Sequence, residues 1–239
     1  MSMTSREFDE RLSRRARKAN VPLTLDMVER LEEYYRLLAR WNTKVNLTAL
    51  QLSEFTDQAV DRLLIEPLAA ARFVLNSPLA WFDLGSGGGS PAIPLKIARP
   101  AARLTMVESK VRKAAFLREA VRMLGLADAS VENARFEDVA ARQSSIGAAD
   151  LLTVRAVKTG TALFDASRAL LRERGRFVLF GSSGTQTDCP PGFQLLEAGR
   201  IAGPGSSQIV ACMRTGGPDD VSRETMSEES TKRLGKRVR

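Results

Sequence analysis

Hydrophobic residues near the start of the chain recur at the spacing of amphipathic helices. One stripe has apolar positions three and four residues apart, so its members share one helix face. They are Met27, Leu31, Tyr34, Leu38, Trp41 and Val45. Thr24 precedes the stripe and is a candidate N-cap. A basic helix is expected over Arg6–Ala19, and one or two further helices over Ser53–Leu75, interrupted near Pro67.

From Ala80 onwards the pattern changes to short apolar runs that alternate with amphipathic segments. The candidate strands are Trp81–Leu84, Arg103–Glu108, Ala129–Glu132, Leu151–Arg155, Arg176–Phe180, Gln194–Ala198 and Ser207–Met213. Helices are expected over Lys110–Leu124, ended by Gly125, and over Thr161–Leu171. This alternation predicts an α/β fold with a seven-stranded, mostly parallel, doubly wound sheet that binds ligands at its carboxyl edge. The last two strands lack a helix between them and are expected to form a hairpin.

These patterns divide the chain into three regions. Residues 1–76 form a predicted helical extension packed on the core, and residues 77–215 form the predicted core. Residues 216–239 contain six Lys/Arg and five Asp/Glu and almost no apolar residues. Such a segment buries too little apolar surface to fold by itself, so we predict a disordered tail.

The first candidate strand of the sheet runs into an acidic residue and a glycine-rich turn. Asp83 precedes Gly85, Ser86 and Gly87 in this turn, and Gly89 follows. Glycines let a ligand approach the backbone, because a Cβ atom would occupy its space. A dinucleotide fingerprint G-x-G-x-x-G would need a third glycine where serine stands at position 90, so the spacing favours S-adenosylmethionine over NAD. Asp83 is expected to accept from the cofactor ammonium or to orient the loop; a tight turn without a ligand is the alternative.

Glu108 ends the second candidate strand, next to the glycine turn. A carboxylate at this place is costly to desolvate unless hydroxyl or cationic groups contact it. Recognition of the two ribose hydroxyls of the cofactor is therefore favoured over a surface salt bridge.

Composition narrows the possible chemistry. The 239 residues include no histidine, which excludes Ser-His-Asp and Cys-His catalysis and histidine-ligated metal sites. Cys189 and Cys212 are the two cysteines; they suit a reducing compartment, although a disulfide between them stays open. No apolar run approaches the ~18 residues of a membrane span, and the N-terminus has no signal-peptide pattern. We expect a cytoplasmic protein without metal or membrane contact, and a monomer, since no exposed apolar stripe demands a partner.

The formal net charge of +8 favours an anionic partner such as RNA, although a merely basic protein has the same charge. Several cations fall on the predicted helix after the second strand. They are Lys110, Arg112, Lys113, Arg118 and Arg122. This helix is either a solvated face or a phosphate track. Trp41 is likewise expected to be a core residue rather than a platform for base stacking.

Several motifs together resemble one protein family. They are WN at 41–42, NLT at 46–48, DLGSGGGSPAIPL at 83–95, ES at 108–109, RK at 112–113, FL at 116–117, RFE at 135–137 and RA at 155–156. Over roughly residues 25–180 the chain resembles the bacterial small-subunit (16S) ribosomal RNA guanine-N7 methyltransferases, also called glucose-inhibited division protein B. The resemblance implies a Rossmann-like class I S-adenosylmethionine-dependent methyltransferase fold. It implies S-adenosylmethionine as cofactor and 16S rRNA or the small ribosomal subunit as partner.

The resemblance also implies roles for further residues. Ser90 lies beside the cofactor in the family; the N-cap of the next helix is the alternative role. Phe136 and Glu137 flank the adenine, with core packing as the alternative for Phe136. Arg155 contacts cofactor or substrate, and a structural ion pair with Asp83 or Glu137 is the competing interpretation.

The chain departs from the family pattern in three places. The family usually has an Arg-His and Asp-Ser pair where this chain has Asp61–Glu66. It commonly has a Lys-Gly pair after the fifth strand, where this chain has Phe180–Gly184. The arginine that the family has near the last strand is replaced around Ser206–Gln208. These changes affect the expected RNA target more than the expected cofactor.

The expected reaction is methylation of guanine N7 by in-line transfer. N7 has a lone pair and no proton, so no general base is required and no catalytic residue is assigned. Two other functions stay open. One is a nicotinamide-dependent dehydrogenase, disfavoured by Ser90; the other is a ribosome-binding or assembly protein that retains the fold without activity.

Overall fold

The computed structural model describes residues 3–75, 77–181, 189–202 and 206–216. Two long helices open the chain: α1 spans Ser5–Lys18 and α2 spans Leu25–Asn42. A capping box starts α1, in which Thr4 and Glu7 each accept from the other's backbone N–H. Thr24 caps α2 as predicted, because its hydroxyl accepts from the Met27 N–H at 3.2 Å.

The next segment stays helical from residue 57 to residue 73. It comprises α3 (Asp57–Val60), a π-helical turn (Asp61–Ile65), α4 (Glu66–Ala69) and a 3₁₀ turn (Ala70–Phe73). The expected interruption near Pro67 is present as a change of helix type and not as a break in the helical backbone. The π-helical turn changes the hydrogen-bond register just before Pro67, which then lies in the first turn of α4, where a missing amide hydrogen is tolerated.

The core contains one seven-stranded sheet, and each predicted strand is confirmed. The strands are β1 (Ala80–Leu84), β2 (Arg103–Val107), β3 (Ala129–Glu132), β4 (Ala149–Arg155), β5 (Leu171–Gly181), β6 (Phe193–Arg200) and β7 (Gln208–Arg214). Their order is β3-β2-β1-β4-β5-β7-β6. The first five strands pair in parallel, whereas β7 runs antiparallel to β5 and β6, so the expected hairpin is present.

Helices cover both faces of this sheet, as a doubly wound fold requires. They are α5 (Ala92–Ala98), α6 (Val111–Met123), α7 (Phe136–Ala140) and α8 (Thr161–Leu170). Alternate strand residues enter two hydrophobic clusters: Trp81 belongs to a cluster that includes residues of α1, α2, α5 and α6, and Leu84 belongs to one that includes residues of α7 and α8. The N-terminal helices thus share a continuous core with one face of the sheet. Gly125 follows α6 with φ +56°, as predicted for its C-terminus.

Within the described residues, no helix is both long enough and apolar enough to span a bilayer. The predicted disordered tail lies outside the described residues except for Gly216. The boundary at residue 76 stays a prediction.

Candidate active site

Three adjacent strands bring the main sequence-predicted residues to one edge of the sheet. β1 lies between β2 and β4, and Asp83 is level with Met106 on one side and Thr153 on the other. The ends of these strands therefore place Asp83, Glu108 and Arg155 along the carboxyl edge, where doubly wound sheets bind ligands.

The glycine turn after β1 is held against the end of β2. The N–H groups of Gly85 and Ser86 both donate to the Val107 carbonyl, at 2.8 and 3.1 Å. Gly85, Gly87 and Gly89 have φ angles of +74°, +52° and +84°. Residues with a side chain rarely adopt such angles, so the turn depends on these glycines.

The space around these glycines differs from one to the next. A Cβ atom on Gly85 would lie 2.5 Å from Val157 Cγ2, and one on Gly89 would lie 2.5 Å from Ile93 Cδ1. A Cβ on Gly87 would meet only the Gly85 carbonyl oxygen, at 3.8 Å. The protein's own packing therefore requires Gly85 and Gly89, and Gly87 leaves the open space that a ligand needs.

Asp83 is a buried acid, 1% exposed, beneath the glycine turn. The Thr153 hydroxyl donates to Asp83 Oδ1 at 2.5 Å, and the Ser86 hydroxyl donates to the Asp83 carbonyl at 2.9 Å. Burial raises the pKa of Asp83 to about 6, against the opposing effects of these hydroxyls and the Arg155 charge. The site thus contains a carboxyl group that a bound cation would keep ionised.

Glu108 is 6% exposed and faces the same turn. Its two carboxylate oxygens accept from the N–H groups of Gly87, at 2.9 Å, and Lys110, at 2.8 Å. Asn133 Nδ2 donates to the Glu108 carbonyl at 2.8 Å and fixes the end of the strand. Among the described residues Glu108 forms no ion pair, so the surface salt bridge is not found. A carboxylate has about four acceptor positions, which leaves capacity for two hydroxyl groups.

Ser90 does not cap the following helix, so that alternative is wrong. α5 begins at Ala92, and the Ser90 hydroxyl instead donates to the Leu63 carbonyl at 3.0 Å. It also accepts from Arg155 Nη1 at 3.2 Å. Contacts with the preceding helical segment and with β4 therefore determine the position of Ser90.

Arg155 forms a buried ion pair, but with a different partner from those expected. Its Nη2 lies 2.9 Å from Glu66 Oε2, whereas Asp83 and Glu137 were the expected partners. Its Nη1 donates to the Arg62 carbonyl, and its guanidinium lies 4.5 Å from the Phe180 ring centroid. Burial lowers the pKa of Arg155 to about 10, and the Glu66 charge opposes that shift. The sequence prediction missed Glu66 because this residue, on α4, lies 89 positions before Arg155 in the chain.

Glu66 is fully buried and joins the segment before β1 to the last strand. It accepts from the Ser207 N–H at 2.7 Å and from the Ser207 hydroxyl at 2.5 Å. Arg62 lies 3.7 Å from its carboxylate and donates to the Ser207 hydroxyl. We call Arg62, Glu66, Ser90, Arg155 and Ser207 the Glu66 network. The signal in the sequence is an acid within an apolar helical run, where burial without a partner would be costly.

Phe136 and Glu137 begin α7. Phe136 is half-buried and packs against the second hydrophobic cluster, as the core-packing alternative expects. The Glu137 side chain is exposed and has no hydrogen bond or ion pair to a described residue. Their contact with adenine stays a prediction.

The loop after β4 contains two features that the sequence prediction missed. Ala156 has φ +56°, an uncommon conformation for a residue with a side chain. It separates Arg155 from Val157, whose side chain lies over Gly85. The turn at Ala156 therefore directs Arg155 and Val157 to different parts of the sheet edge.

The NLT motif supports the glycine turn from the N-terminal side. Asn42 Oδ1 accepts from the N–H groups of Leu47 and Thr48, at 2.9 and 3.0 Å. This turn brings Leu47 close to Gly88, and the Tyr34 hydroxyl donates to the Gly88 carbonyl at 2.7 Å. The helical extension therefore forms one wall of the site.

Cys189 and Cys212 are free cysteines, so the disulfide is not formed. Within the described part of the chain, no group of three or more Cys, Asp or Glu residues is arranged to hold a metal ion.

Comparison with known proteins agrees with this geometry. The family model of GidB, rRNA small subunit methyltransferase G, matches residues 27–188. The chain belongs to this family. The ribosomal RNA small subunit methyltransferase G of Stenotrophomonas maltophilia is 38% identical over 192 residues, or 78% of this chain and 85% of that protein. The protein of the same name from Xanthomonas campestris is 40% identical over 156 residues, or 65% of this chain and 69% of that protein.

Solved structures with lower sequence identity share the fold of this GidB family member. A SAM-dependent methyltransferase from Aquifex aeolicus matches with a TM-score of 0.53 at 12% identity, over 68% of this chain and 96% of its own. A mutant of MtNAS in complex with S-adenosylmethionine matches with a TM-score of 0.55 at 14% identity, over 78% of this chain and 75% of its own. The predicted Rossmann-like class I methyltransferase fold is therefore confirmed.

Proposed function

We propose that this protein methylates the N7 atom of a guanine in 16S rRNA, with S-adenosylmethionine as methyl donor. Membership of the rRNA small subunit methyltransferase G family is the observation that carries this proposal. The site fits the donor: the turn is open at Gly87, and a buried acid lies on each side of it.

Different residues are assigned to different parts of the cofactor. Glu108 accepts from the ribose hydroxyls, and Asp83 faces the positive methionine end near Gly85, Ser86 and Gly87. Phe136 and Glu137 flank the adenine, as sequence position in the family implies. Ser90 and Arg155 are assigned to the boundary between cofactor and guanine, because the Glu66 network fixes both at that edge.

The bound cofactor supplies a methyl group on a positively charged sulfur. Guanine N7 has a lone pair and no proton, so the chain needs no residue to remove one, in keeping with a sequence that lacks histidine. The protein contributes position and exclusion of water, and such alignment alone accounts for large rate increases. No side chain is therefore assigned as a general base.

Two alternative functions are less well supported. A nicotinamide-dependent dehydrogenase would need a glycine at position 90, where the Ser90 hydroxyl instead joins Leu63 and Arg155. A ribosome-assembly protein without activity would not need an open position at Gly87 between two buried acids. A ribosomal RNA substrate also implies a cytoplasmic protein, and we propose that it acts as a monomer.

Calorimetry and RNA mapping test the proposal. The protein is expected to bind S-adenosylhomocysteine and not NAD, and Gly85→Arg is expected to abolish binding. Gly125→Arg is the matched control, because Gly125 also has a positive φ but lies in open space after α6.

In a deletion strain, 16S rRNA should lack one N7-methylguanine that the wild-type gene restores. Binding of NAD, or an unchanged set of methylated guanines, would contradict the proposal.

A further inference from the structure

A groove between α2 and α6 has no part in the reaction described above. Its volume is about 740 Å³, within the range of roughly 300–1,000 Å³ typical of sites for organic groups. Most of the groove lining is apolar. The apolar residues that line the groove are Leu37, Trp41, Val45, Ala115 and Met123, of which Leu37 is buried and Met123 is exposed.

The rim of the groove is positively charged. Arg40, Lys44 and Arg112 line it, and all three are exposed. Among the described residues, none of these cations forms an ion pair. Glu119 is the acid in this lining, and it already pairs with Arg122 at 3.1 Å. The unpaired cations therefore give the groove a net positive charge, which complements a phosphate backbone.

Trp41 is positioned in this groove by a residue beneath it. Its ring centroid lies 5.9 Å from that of the fully buried Phe116, with the two planes at 64°. Trp41 itself is half-buried and lines the groove. An aromatic side chain beside unpaired cations is the arrangement with which proteins bind unpaired nucleotides: the base stacks and the cations contact phosphates.

Both walls of the groove begin next to the cofactor site. On α2, Leu38 lies beside Gly88, and a Cβ atom there would be 3.2 Å from Leu38 Cδ1. On the other side, α6 begins at Val111, and the Lys110 N–H just before it donates to Glu108. An RNA strand that delivers a guanine to the sheet edge can therefore continue into the groove.

We infer that this groove binds an unpaired nucleotide of the RNA substrate, with its base on Trp41 and adjacent phosphates at Arg40, Lys44 and Arg112. The inference rests on the proposed function and extends recognition beyond the methylated guanine. Trp41 packs against the first hydrophobic cluster, as the sequence prediction of a core residue expects, and the proposal adds a binding role for its exposed part.

Tryptophan fluorescence tests the inference directly, because the chain has two tryptophans and Trp81 is fully buried. A single-stranded oligouridylate of about 12 nucleotides is the probe, since base stacking tolerates any sequence. Titration is expected to quench the Trp41 emission. The Trp41→Phe variant keeps an aromatic ring against Phe116 and should still bind by fluorescence anisotropy of a labelled probe, without quenching.

Two further variants separate stacking from charge. Trp41→Ala is expected to weaken probe binding roughly 5- to 100-fold. The triple variant Arg40→Ala, Lys44→Ala and Arg112→Ala tests the charges through the slope of log K against the logarithm of the salt concentration. The magnitude of this slope is expected to fall by about 0.7 for each phosphate that is no longer neutralised, or about 2 in total. Arg118→Ala is the matched control, because Arg118 is exposed on α6 outside the groove lining. It should lower the slope by less than the roughly 0.7 expected for the loss of one phosphate contact.

The outcomes separate this inference from the proposed function. Binding of S-adenosylhomocysteine should be the same in all these variants, which also shows that they are folded. If the groove variants bind the probe and methylate 16S rRNA as the wild type does, the inference is wrong and the proposed function stands. If they methylate free 16S rRNA normally but fail on small ribosomal subunits, the groove contacts a ribosomal protein, which also overturns it. If the wild type binds the probe in the groove but transfers no methyl group, the proposed function alone fails.

Discussion

The carboxyl edge of the sheet has two halves that are built from different parts of the chain. At the ends of β1 and β2, backbone groups shape the site: glycines with positive φ form the turn, and the Gly87 N–H donates to Glu108. At the ends of β4 and β7, side chains shape it: the Glu66 network joins segments up to 145 positions apart. The first half is local in sequence, and the second half is long-range.

This difference distinguishes the residues that a sheet of this type needs to bind a nucleotide from the residues that are particular to this family member. The half at the ends of β1 and β2, which we call the backbone-built half, needs only a strand, a glycine turn and an acid on the next strand. This pattern is found in many nucleotide-binding sheets. The half at the ends of β4 and β7, which we call the side-chain-built half, contains two of the three places where the sequence departs from the family pattern. These places are Asp61–Glu66 and Ser206–Gln208. We therefore expect the two halves to respond differently to mutation.

The largest effect is expected in the side-chain-built half. Glu66→Gln removes the buried charge that faces Arg155 and should destabilise the protein by about 3–5 kcal/mol, measured by urea unfolding. The control is Glu197→Gln, because the Arg72–Glu197 pair is 2.7 Å long but has side chains that are 42% and 47% exposed. That change should cost less than about 1 kcal/mol. Similar losses in both variants would mean that the Glu66 network is no more important than a surface pair.

A smaller loss of stability is expected in the glycine turn. Gly89→Ala combines a positive φ with a Cβ atom 2.5 Å from the buried Ile93, and should cost about 2–4 kcal/mol. Gly125→Ala has a similar φ in open space, and should cost about 1 kcal/mol. Thermal unfolding compares the two. Equal values would show that the turn adapts to a side chain and that packing against Ile93 does not require glycine.

Cofactor affinity should depend on Glu108. Glu108→Ala leaves the ribose hydroxyls and the Gly87 N–H without an acceptor, and should weaken S-adenosylhomocysteine binding by about 1–3 kcal/mol in calorimetry. Glu132→Ala is the control, because Glu132 ends the neighbouring strand and pairs with Arg142 at 3.0 Å on the surface. Unchanged affinity in Glu108→Ala would contradict the ribose assignment.

The smallest expected effect, about tenfold in affinity between pH 5 and pH 7, is a pH dependence that arises from Asp83. Its pKa of about 6 lies above the ordinary 3.8, so the protonated acid favours the folded state below pH 4, and this contribution is lost as pH rises through 6. If Asp83 accepts from the cofactor ammonium as proposed, binding requires the ionised form. Affinity for S-adenosylhomocysteine should therefore rise about tenfold per pH unit up to pH 6 and level off above it.

Asp83→Asn provides the control for this measurement. It should bind the cofactor product more weakly at pH 7 and lose the dependence between pH 5 and pH 7. A slope that survives in Asp83→Asn would assign the titration to another group.

The same contrast explains how much the sequence could predict. All seven strands, the α6 helix and the residues of the glycine turn follow from local patterns, because period, turn chemistry and short motifs are local properties. The partner of Arg155 could not be predicted in this way. Glu66 reaches it only because a π-helical turn and α4 pack against the sheet edge, and no local pattern encodes that packing.

Side-chain roles that depend on neighbours were also missed. Ser90 has the sequence position of an N-cap, but a carbonyl on the preceding helical segment and the Arg155 guanidinium compete for its hydroxyl. Val157 gives no signal in the sequence, yet it lies over Gly85 and accounts for that glycine without a ligand. The assignment of Phe136 and Glu137 to adenine stays a prediction.

The contact of Tyr34 with the Gly88 carbonyl makes the first forty residues part of the binding equilibrium. A ligand that orders the glycine turn also stabilises α2, so donor binding should slow amide hydrogen exchange along that helix. Removal of the N-terminal helices is therefore expected to abolish donor binding. Mutations that unfold α1 or α2 would then behave as if they were active-site mutations, although those helices lie far from the glycine turn in sequence.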